Sequence, residues 1–285
     1  MKKVLVTGAT GFLGNYIIEE LLKADHAVVA SSANQHKAMQ FSWYDKASYI
    51  SLDLSQIDLS INYYDFFSRP DLMIHLAWEG LPNYKSALHL EENLPRHKGF
   101  LKNMLDNGLR DLTVTGTCFE YGMQEGQLNE EMRTMPSNPY AEAKDQLRKF
   151  LQEYRDGHFF DFKWLRLFYM YGKGQNPNSL LSQLDKAIAE GNEVFNMSGG
   201  EQVRDFLPVE VITAYIVKAS LQTKVDGIIN VSSNQPVTVK HFVENYLKKI
   251  NKSMTLNLGY YPYPDYEPRG FWGDNTKLKT ILNNE

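Results

Sequence analysis

The chain has a single cysteine, Cys118, so it cannot close a disulfide on itself, a usage that fits a reducing compartment. It has no apolar run approaching the ~20 residues that a membrane helix needs. After Met1-Lys2-Lys3 only three apolar residues precede Thr7-Gly8, too few for the core of a signal peptide. Charge of one sign is scarce too. A net charge of −4 gives no general attraction to nucleic acid or to an anionic membrane, so any anionic ligand must be held by local donors. There is no internal repeat, low-complexity tract or long charge run. These absences point to a soluble, cytoplasmic protein with no nucleic-acid or membrane partner and no expected metal.

What is present is an ordinary globular balance: 285 residues, 43% hydrophobic and 22% charged, enough for a substantial core. Aromatics are in mild excess at 13%, many of them near the end in "GYYPYPDYEPRGFWG". That stretch reads equally well as a proline-punctuated surface lobe or as a wall for a flat or sugar-like ligand.

Apolar runs alternate with helical patterns along the first two thirds. Strands are expected at 3–8, 26–31, 48–53, 71–77, 112–117 and 162–172. Helices are expected at 12–25, about 84–107 and about 139–154. Alternation of this kind implies an α/β fold, a Rossmann-type doubly wound parallel sheet with helices on both faces. After residue 172 the rhythm loosens, although "DGIINVS" (226–232) reads as a returning strand. The expected division is a dinucleotide-binding domain, 1–168 plus 207–235, and a smaller C-terminal substrate lobe, 169–206 plus 236–285.

The stretch "TGATGFLG" (7–14) carries Gly8, Gly11 and Gly14. A glycine-rich turn binds phosphate when it joins a strand to a helix N-terminus, where backbone N–H groups and the helix dipole face the anion. "KVLV" precedes this turn and an amphipathic pattern follows it. Gly8 would allow the tight turn, Gly11 the approach of a pyrophosphate and Gly14 close helix–strand packing. The spacing is one residue longer at the front than the common dinucleotide fingerprint, and a purely structural turn is the alternative. An acid at the end of the second strand would hydrogen-bond the ribose 2′-hydroxyl of NAD. This chain has Ser31-Ser32-Ala33-Asn34, then His36-Lys37. Hydroxyls and nearby cations suit a 2′-phosphate, so NADP(H) is favoured, with NAD(H) as second choice. Asp53 stands where it would meet the adenine amino group or cap a turn.

Taken in order, "TGATGFLG", "LDLS" (52–55), "HLA" (75–77), Asn93, "TGTCFEYG" (115–122), "YAEAK" (140–144), "LRLFYMYGKGQ" (165–175) and "RDF" (204–206) give the chain a clear likeness. It resembles the extended short-chain dehydrogenase/reductases, the nucleotide-sugar epimerase, dehydratase and reductase group, over nearly its whole length. The resemblance implies a dinucleotide lying along Gly8, Thr10, Gly11, Phe12, Leu13, Gly14, Ser31, Ser32, Asp53, Leu54, Leu76, Ala77 and Asn93, with Tyr140 and Lys144 at its nicotinamide end. It makes Tyr140 and Lys144 the catalytic pair and Thr117 their hydroxyl partner, with a strand-end cap as the bland reading of Thr117. The chemistry agrees: four residues on a helix put both side chains on one face. An ammonium beside a phenol lowers the phenol's pKa from ~10.

The family's 4,6-dehydratases carry an Asp-Glu pair after the catalytic Thr. Here Cys118 and Phe119 stand there, so a dehydratase is not expected. Glu120 falls one residue late, and strand alternation would turn it away. Cys118 reads as packing. The substrate end is assigned to Trp78, Glu79, Thr117, Tyr169, Arg204 and Arg269. Tyr169 replaces an Asn that contacts the sugar nucleotide in many relatives. Arg204 and Arg269 suit a diphosphate, with salt bridges to Asp205 or Glu267 as the alternative; Trp78 is as easily a core residue. The expected reaction is reduction of a nucleotide-linked 4-keto-6-deoxyhexose at C4, with a 4-epimerase retaining NAD as runner-up and a non-catalytic NADP-binding sensor as a third reading. The resemblance also implies a homodimer pairing the helices near 84–107 and 139–154.

Overall fold

The structure, a computed structural model, describes residues 1–283. The central sheet is built from β1 (Lys3–Thr7), β2 (Ala27–Ser32), β3 (Ser48–Ser51), β4 (Leu72–His75), β5 (Asp111–Thr117), β7 (Asp161–Leu167) and β12 (Gly227–Val231). Their order is β12-β7-β5-β4-β1-β2-β3, and every pairing is parallel. The intervening short strand β6 (Gly126–Leu128) pairs with β15 (Phe271–Gly273) outside this sheet.

Period-two alternation sends Val4 and Val6 to one face and Leu5 to the other. The first face is covered by α1 (Phe12–Lys23), α7 (Val209–Leu221) and α9 (Thr276–Leu282). The second is covered by α3 (Tyr63–Phe66), α4 (Leu94–Asp106) and α5 (Pro139–Asp156). Helix α1 starts where Gly11 caps it and buries Ile17, Ile18 and Leu21. Asn138 caps α5 by accepting from the Ala141 N–H, with Pro139 in the first turn. A short α2 (Gln35–Ala38) follows β2, capped by Asn34.

The lobe holds α6 (Leu180–Ala189), β9 (Val194–Asn196), α8 (Val239–Lys249) and β14 (Thr255–Asn257). They share a small core of Leu181, Leu184, Phe195, Met197, Val243 and Leu247. Two strand pairs, β8 (Tyr169–Tyr171) with β11 (Phe206–Pro208) and β10 (Val203–Arg204) with β13 (Val237–Thr238), lie between lobe and sheet in the chain.

Three expectations change. The helix expected from residue 84 begins at His89 with one π-helical turn, His89–Asn93, because Gly80, Pro82 and Asn83 hold the preceding segment in turns. The single strand expected over 162–172 breaks at Phe168 into β7 and β8, and β8 leaves the main sheet for β11. Helix α9, expected in the lobe, returns to the main domain, where Leu278 and Ile281 join its core.

Candidate active site

The strand order reverses between β1 and β4, and in open parallel sheets ligands bind in the crevice at such a point. The glycine turn closes that crevice. Gly8 has φ +70°, and a Cβ there would lie 2.8 Å from the Ala77 backbone nitrogen beyond β4. A Cβ on Gly14 would strike the Gly8 carbonyl oxygen and lie 2.7 Å from that of Ala9. So Gly8 makes the turn and Gly14 the close packing, as their spacing suggested, while exposed Gly11 stands at the N-cap of α1.

Beside this turn lies a cleft of about 180 Å³. Its walls include Thr7, Gly8, Ser31, Ser32, Leu54, Ala77, Trp78, Glu79 and Asn93. A cleft at this crossover, beside the glycine turn, is where a dinucleotide would lie. Asp53 is not in the walls; its carboxylate accepts from the Ser55 N–H at 2.8 Å and caps a turn. Thr10, Gly11, Phe12, Leu13, Gly14 and Leu76 lie outside the walls as well. Trp78 and Glu79, expected at the sugar, are among the walls of this cleft. His36 and Lys37, the cations expected at a 2′-phosphate, are exposed on α2 and take no part in the cleft.

Arg96 and His97 complete the walls. Neither was picked out from the sequence. The available signal was their spacing of three and four from Asn93, which puts them on its helical face. Arg96 is the one cation among the wall residues, held by Glu92 at 2.5 Å. His97 Nδ1 and His75 Nε2 share a 2.7 Å hydrogen bond, and His75 Nδ1 shares one of 2.8 Å with Thr7 Oγ1. Burial pulls His75 down to about 3 and His97 well below its ordinary value, so both imidazoles are neutral.

Tyr140 and Lys144 lie one turn apart on α5, buried, at the end of β5. The Lys144 ammonium donates to the Thr115 carbonyl at 3.0 Å. Burial pulls Lys144 down to about 7, with Glu120 opposing. Burial also pushes the Tyr140 phenol above its ordinary value, helped by Tyr84, Glu120 and Cys118, while hydrogen bonding with Thr117 works the other way. Thr117 therefore meets Tyr140 and also caps the 3₁₀ turn Cys118–Tyr121, its hydroxyl accepting from the Phe119 N–H. Burial raises the Cys118 thiol, which marks it as packing.

Glu120 is turned away from the substrate side by that capping turn, not by strand alternation. It is fully buried and accepts from the Thr117 N–H at 2.9 Å, from Trp164 Nε1 at 2.9 Å and from Arg166 Nε at 2.8 Å. The carboxylate thus anchors Thr117, the residue expected to be the hydroxyl partner of Tyr140.

Around Tyr140 the structure places an aromatic enclosure. Tyr84 lies 5.6 Å from it, with Phe119 and Tyr266 5.2 and 5.7 Å from Tyr84. Tyr266 belongs to the aromatic tail, whose Tyr260, Tyr261 and Tyr263 are exposed while Tyr266 packs inward. Lys85 and Asp265 join the two covering segments by an exposed ion pair. Arg204 is buried against that tail: Nη2 donates to Glu267 at 2.7 Å, Nε to Tyr169 OH at 3.2 Å, and Nη1 to the Val203 and Arg269 carbonyls. Of the two carboxylate partners considered, Glu267 is the one engaged. Asp205 instead accepts from the Ser233 and Asn234 backbone. The Arg269 side chain is exposed, 5.7 Å from the Tyr263 ring.

A glycine-turn cleft at a sheet crossover, with a buried Tyr-x-x-x-Lys pair packed against its Trp78 wall, is the arrangement of a Rossmann-fold enzyme of the dinucleotide-dependent class. The chain belongs to the NAD dependent epimerase/dehydratase family, which it matches over residues 4–256. It is 27% identical over 271 residues to a dTDP-6-deoxy-L-talose 4-dehydrogenase (NAD(+)) of Aggregatibacter actinomycetemcomitans, covering 95% of this chain and 98% of that one. It is 24% identical to a UDP-glucuronate 4-epimerase of Thermodesulfobacterium geofontis, covering 98% and 90%. The fold is that of the Bacillus cereus UDP-glucuronic acid 4-epimerase solved with UDP-glucuronic acid and NAD, at a TM-score of 0.84, 24% identity and coverage of 99% and 93%. Among the described residues no helix is long and apolar enough to cross a membrane, and no cluster of His, Cys, Asp and Glu could hold a metal ion.

Proposed function

We propose that the chain is a nucleotide-sugar 4-ketoreductase, interconverting a nucleotide-linked 4-keto-6-deoxyhexose and its 4-hydroxy form. The observation that carries this reading is the enclosure of Tyr140 by Tyr84, Phe119 and Tyr266, with Cys118 and Phe119 after Thr117. Those side chains offer no acid–base pair for elimination, and an apolar wall suits a sugar whose C6 is a methyl group. The 4-dehydrogenase relative supports the same reading, since dehydrogenase and ketoreductase are one reaction in two directions.

The dinucleotide, when bound, supplies or accepts the hydride. Gly8, Ser31, Ser32, Leu54, Ala77 and Asn93 would hold it. Tyr140, kept protonated by burial, gives its proton to the oxygen at C4 during reduction. Thr117 orients that oxygen, and Lys144 supplies positive charge as the phenol loses its proton. NADP was favoured because the acid after β2 is missing. His36 and Lys37 take no part in the cleft, and the dehydrogenase relative is named for NAD(+), so we take NAD(H) as the working cofactor. A substrate diphosphate at Arg204 would displace Glu267. The 4-epimerase reading draws on the UDP-glucuronate 4-epimerase relative.

The test is nicotinamide absorbance during turnover, with NADH and NADPH separately, against freshly made dTDP-, GDP- and UDP-linked 4-keto-6-deoxy sugars. UDP-glucuronic acid and UDP-glucose complete the panel, with sugars resolved by chromatography. Stoichiometric cofactor oxidation by one ketone supports the proposal. Sugar interconversion without net cofactor change overturns it in favour of the epimerase.

A further inference from the structure

Trp78 follows "HLA", three residues beyond the end of β4, and its indole is held from four directions. One face stacks on His97, with ring centroids 4.6 Å apart and planes at 16°. Its N–H donates to His89 Nδ1 at 3.1 Å, which puts the His89 proton on Nε2, facing the Asn83 carbonyl at 2.9 Å. Tyr140 packs at 6.1 Å with its ring at 72°. The Lys144 ammonium sits over the indole, 4.0 Å from a ring centroid, well inside the ~6 Å reach of a cation–π contact.

We propose that Trp78 is a positioning residue of the catalytic site: its indole face is the second seat of the Lys144 ammonium, holding it charged and in place beside Tyr140. The inference rests on the reading of Lys144 as the partner of Tyr140.

The surroundings of Lys144 explain why such a seat is needed. The side chain is 2% exposed. From β5 and the turn after it, the Thr115 carbonyl and the Glu120 carboxylate act on it, and Tyr140 stands one turn before it on α5. From β4 it faces His75, and from the helix beyond Trp78 it faces His89 and His97. All three imidazoles are pulled toward the neutral form, with burial as the largest cause and Lys144 a further one. Glu120 is the one opposite charge acting on Lys144, and its carboxylate is shared with Arg166 and Trp164. Among the described residues one hydrogen bond, to Thr115, anchors the ammonium. The negative face of an aromatic ring stabilises a cation without adding a titratable group. The second face of the indole is braced by His97, which His75 and Thr7 hold in turn.

The test titrates Lys144 directly, in protein labelled with [15N]lysine and without any sugar present. The Nζ chemical shift is followed with pH, with Lys144→Met identifying the signal. Replacing the ring by an alkyl group of moderate size, Trp78→Leu, should lower the Lys144 midpoint by roughly half to one and a half pH units, and Trp78→Phe should fall between Leu and wild type. A Leu midpoint equal to wild type, or a Phe midpoint no higher than Leu, overturns the proposal. Should Trp78→Leu fail to fold, fluorinated tryptophans placed at position 78 alone keep the shape and drain the ring face. A midpoint that falls with each added fluorine supports the seat, and a flat series overturns it. These readouts stand apart from turnover. A midpoint that follows the ring, in a protein inert toward every 4-keto sugar, would sink the ketoreductase and leave the seat intact.

Discussion

Replacing Glu120 by Gln changes one atom of a carboxylate that no solvent reaches. Its Oε1 accepts from the Thr117 N–H and from Trp164 Nε1; its Oε2 accepts from Arg166 Nε and, at 3.2 Å, from the same indole. Every partner is a donor. Whichever way a Gln amide is turned, its NH₂ faces a donor, and Arg166, 1% exposed, loses its counter-charge. Arg148 lies 3.6 Å from Oε2 but is satisfied by Asp145 at 2.6 Å. Breaking a buried ion pair from one side costs about 3–5 kcal/mol. For a domain of this size that is a fall in Tm of about 5–8 °C. Thermal unfolding followed by circular dichroism reads it. Because Glu120 also anchors Thr117, kcat should fall while dinucleotide affinity is kept. The double variant Glu120→Leu, Arg166→Met removes both charges and should recover most of the stability. A loss under about 1 kcal/mol in the single variant, or no recovery in the double, refutes the anchoring role.

Other outcomes follow from the same geometry. Tyr140→Phe should cut turnover by about 10²–10⁴-fold while nicotinamide-dinucleotide binding, measured by calorimetry, survives; unchanged turnover would show that Tyr140 is not the proton donor. Gly14→Ala forces a methyl against the Gly8 and Ala9 carbonyls, and should cost about 1–3 kcal/mol and abolish the thermal shift given by NAD. Acid should destabilise the fold through His75 and His97. Both folded pKa values lie below the unfolded value, so their contribution is whole above ~6.5 and is lost as pH falls. For His75, held down to about 3, the loss at pH 5 is about 2 kcal/mol. Denaturant titrations at pH 7 and 5 should show the drop, and His97→Leu should shrink it. Glu267→Gln weakens the internal partner of Arg204 and should lower KM for the sugar nucleotide; a raised KM would argue that Arg204 does not meet the diphosphate.

Much of the site was legible because its signals are local. The roles of Gly8 and Gly14 follow from a strand, a tight turn and a helix within a dozen residues. Tyr140 and Lys144 share a face because a helix repeats every 3.6 residues. The glycine spacing and the apolar alternation could be read without knowing what they touch. Errors fell where local patterns give out. "FKWLRLFYMYG" is apolar throughout, and nothing within it marks Phe168 as the point where the chain changes sheets. Asp53 offered two readings of equal local merit, and the structure shows the capping one, on Ser55.

The sequence by itself determined the parallel α/β architecture, the tight glycine turn between β1 and α1 and the shared helical face of Tyr140 and Lys144, because hydrophobic period, glycine chemistry and helical spacing act between near neighbours. Tertiary structure alone decided the partners. Glu120 meets Arg166 across 46 positions, Arg204 meets Glu267 across 63, and Trp78 comes to lie under Lys144. Those pairings depend on which strands lie side by side and on where burial leaves a charge no choice but to find its opposite or a ring face. No periodicity in the chain encodes that.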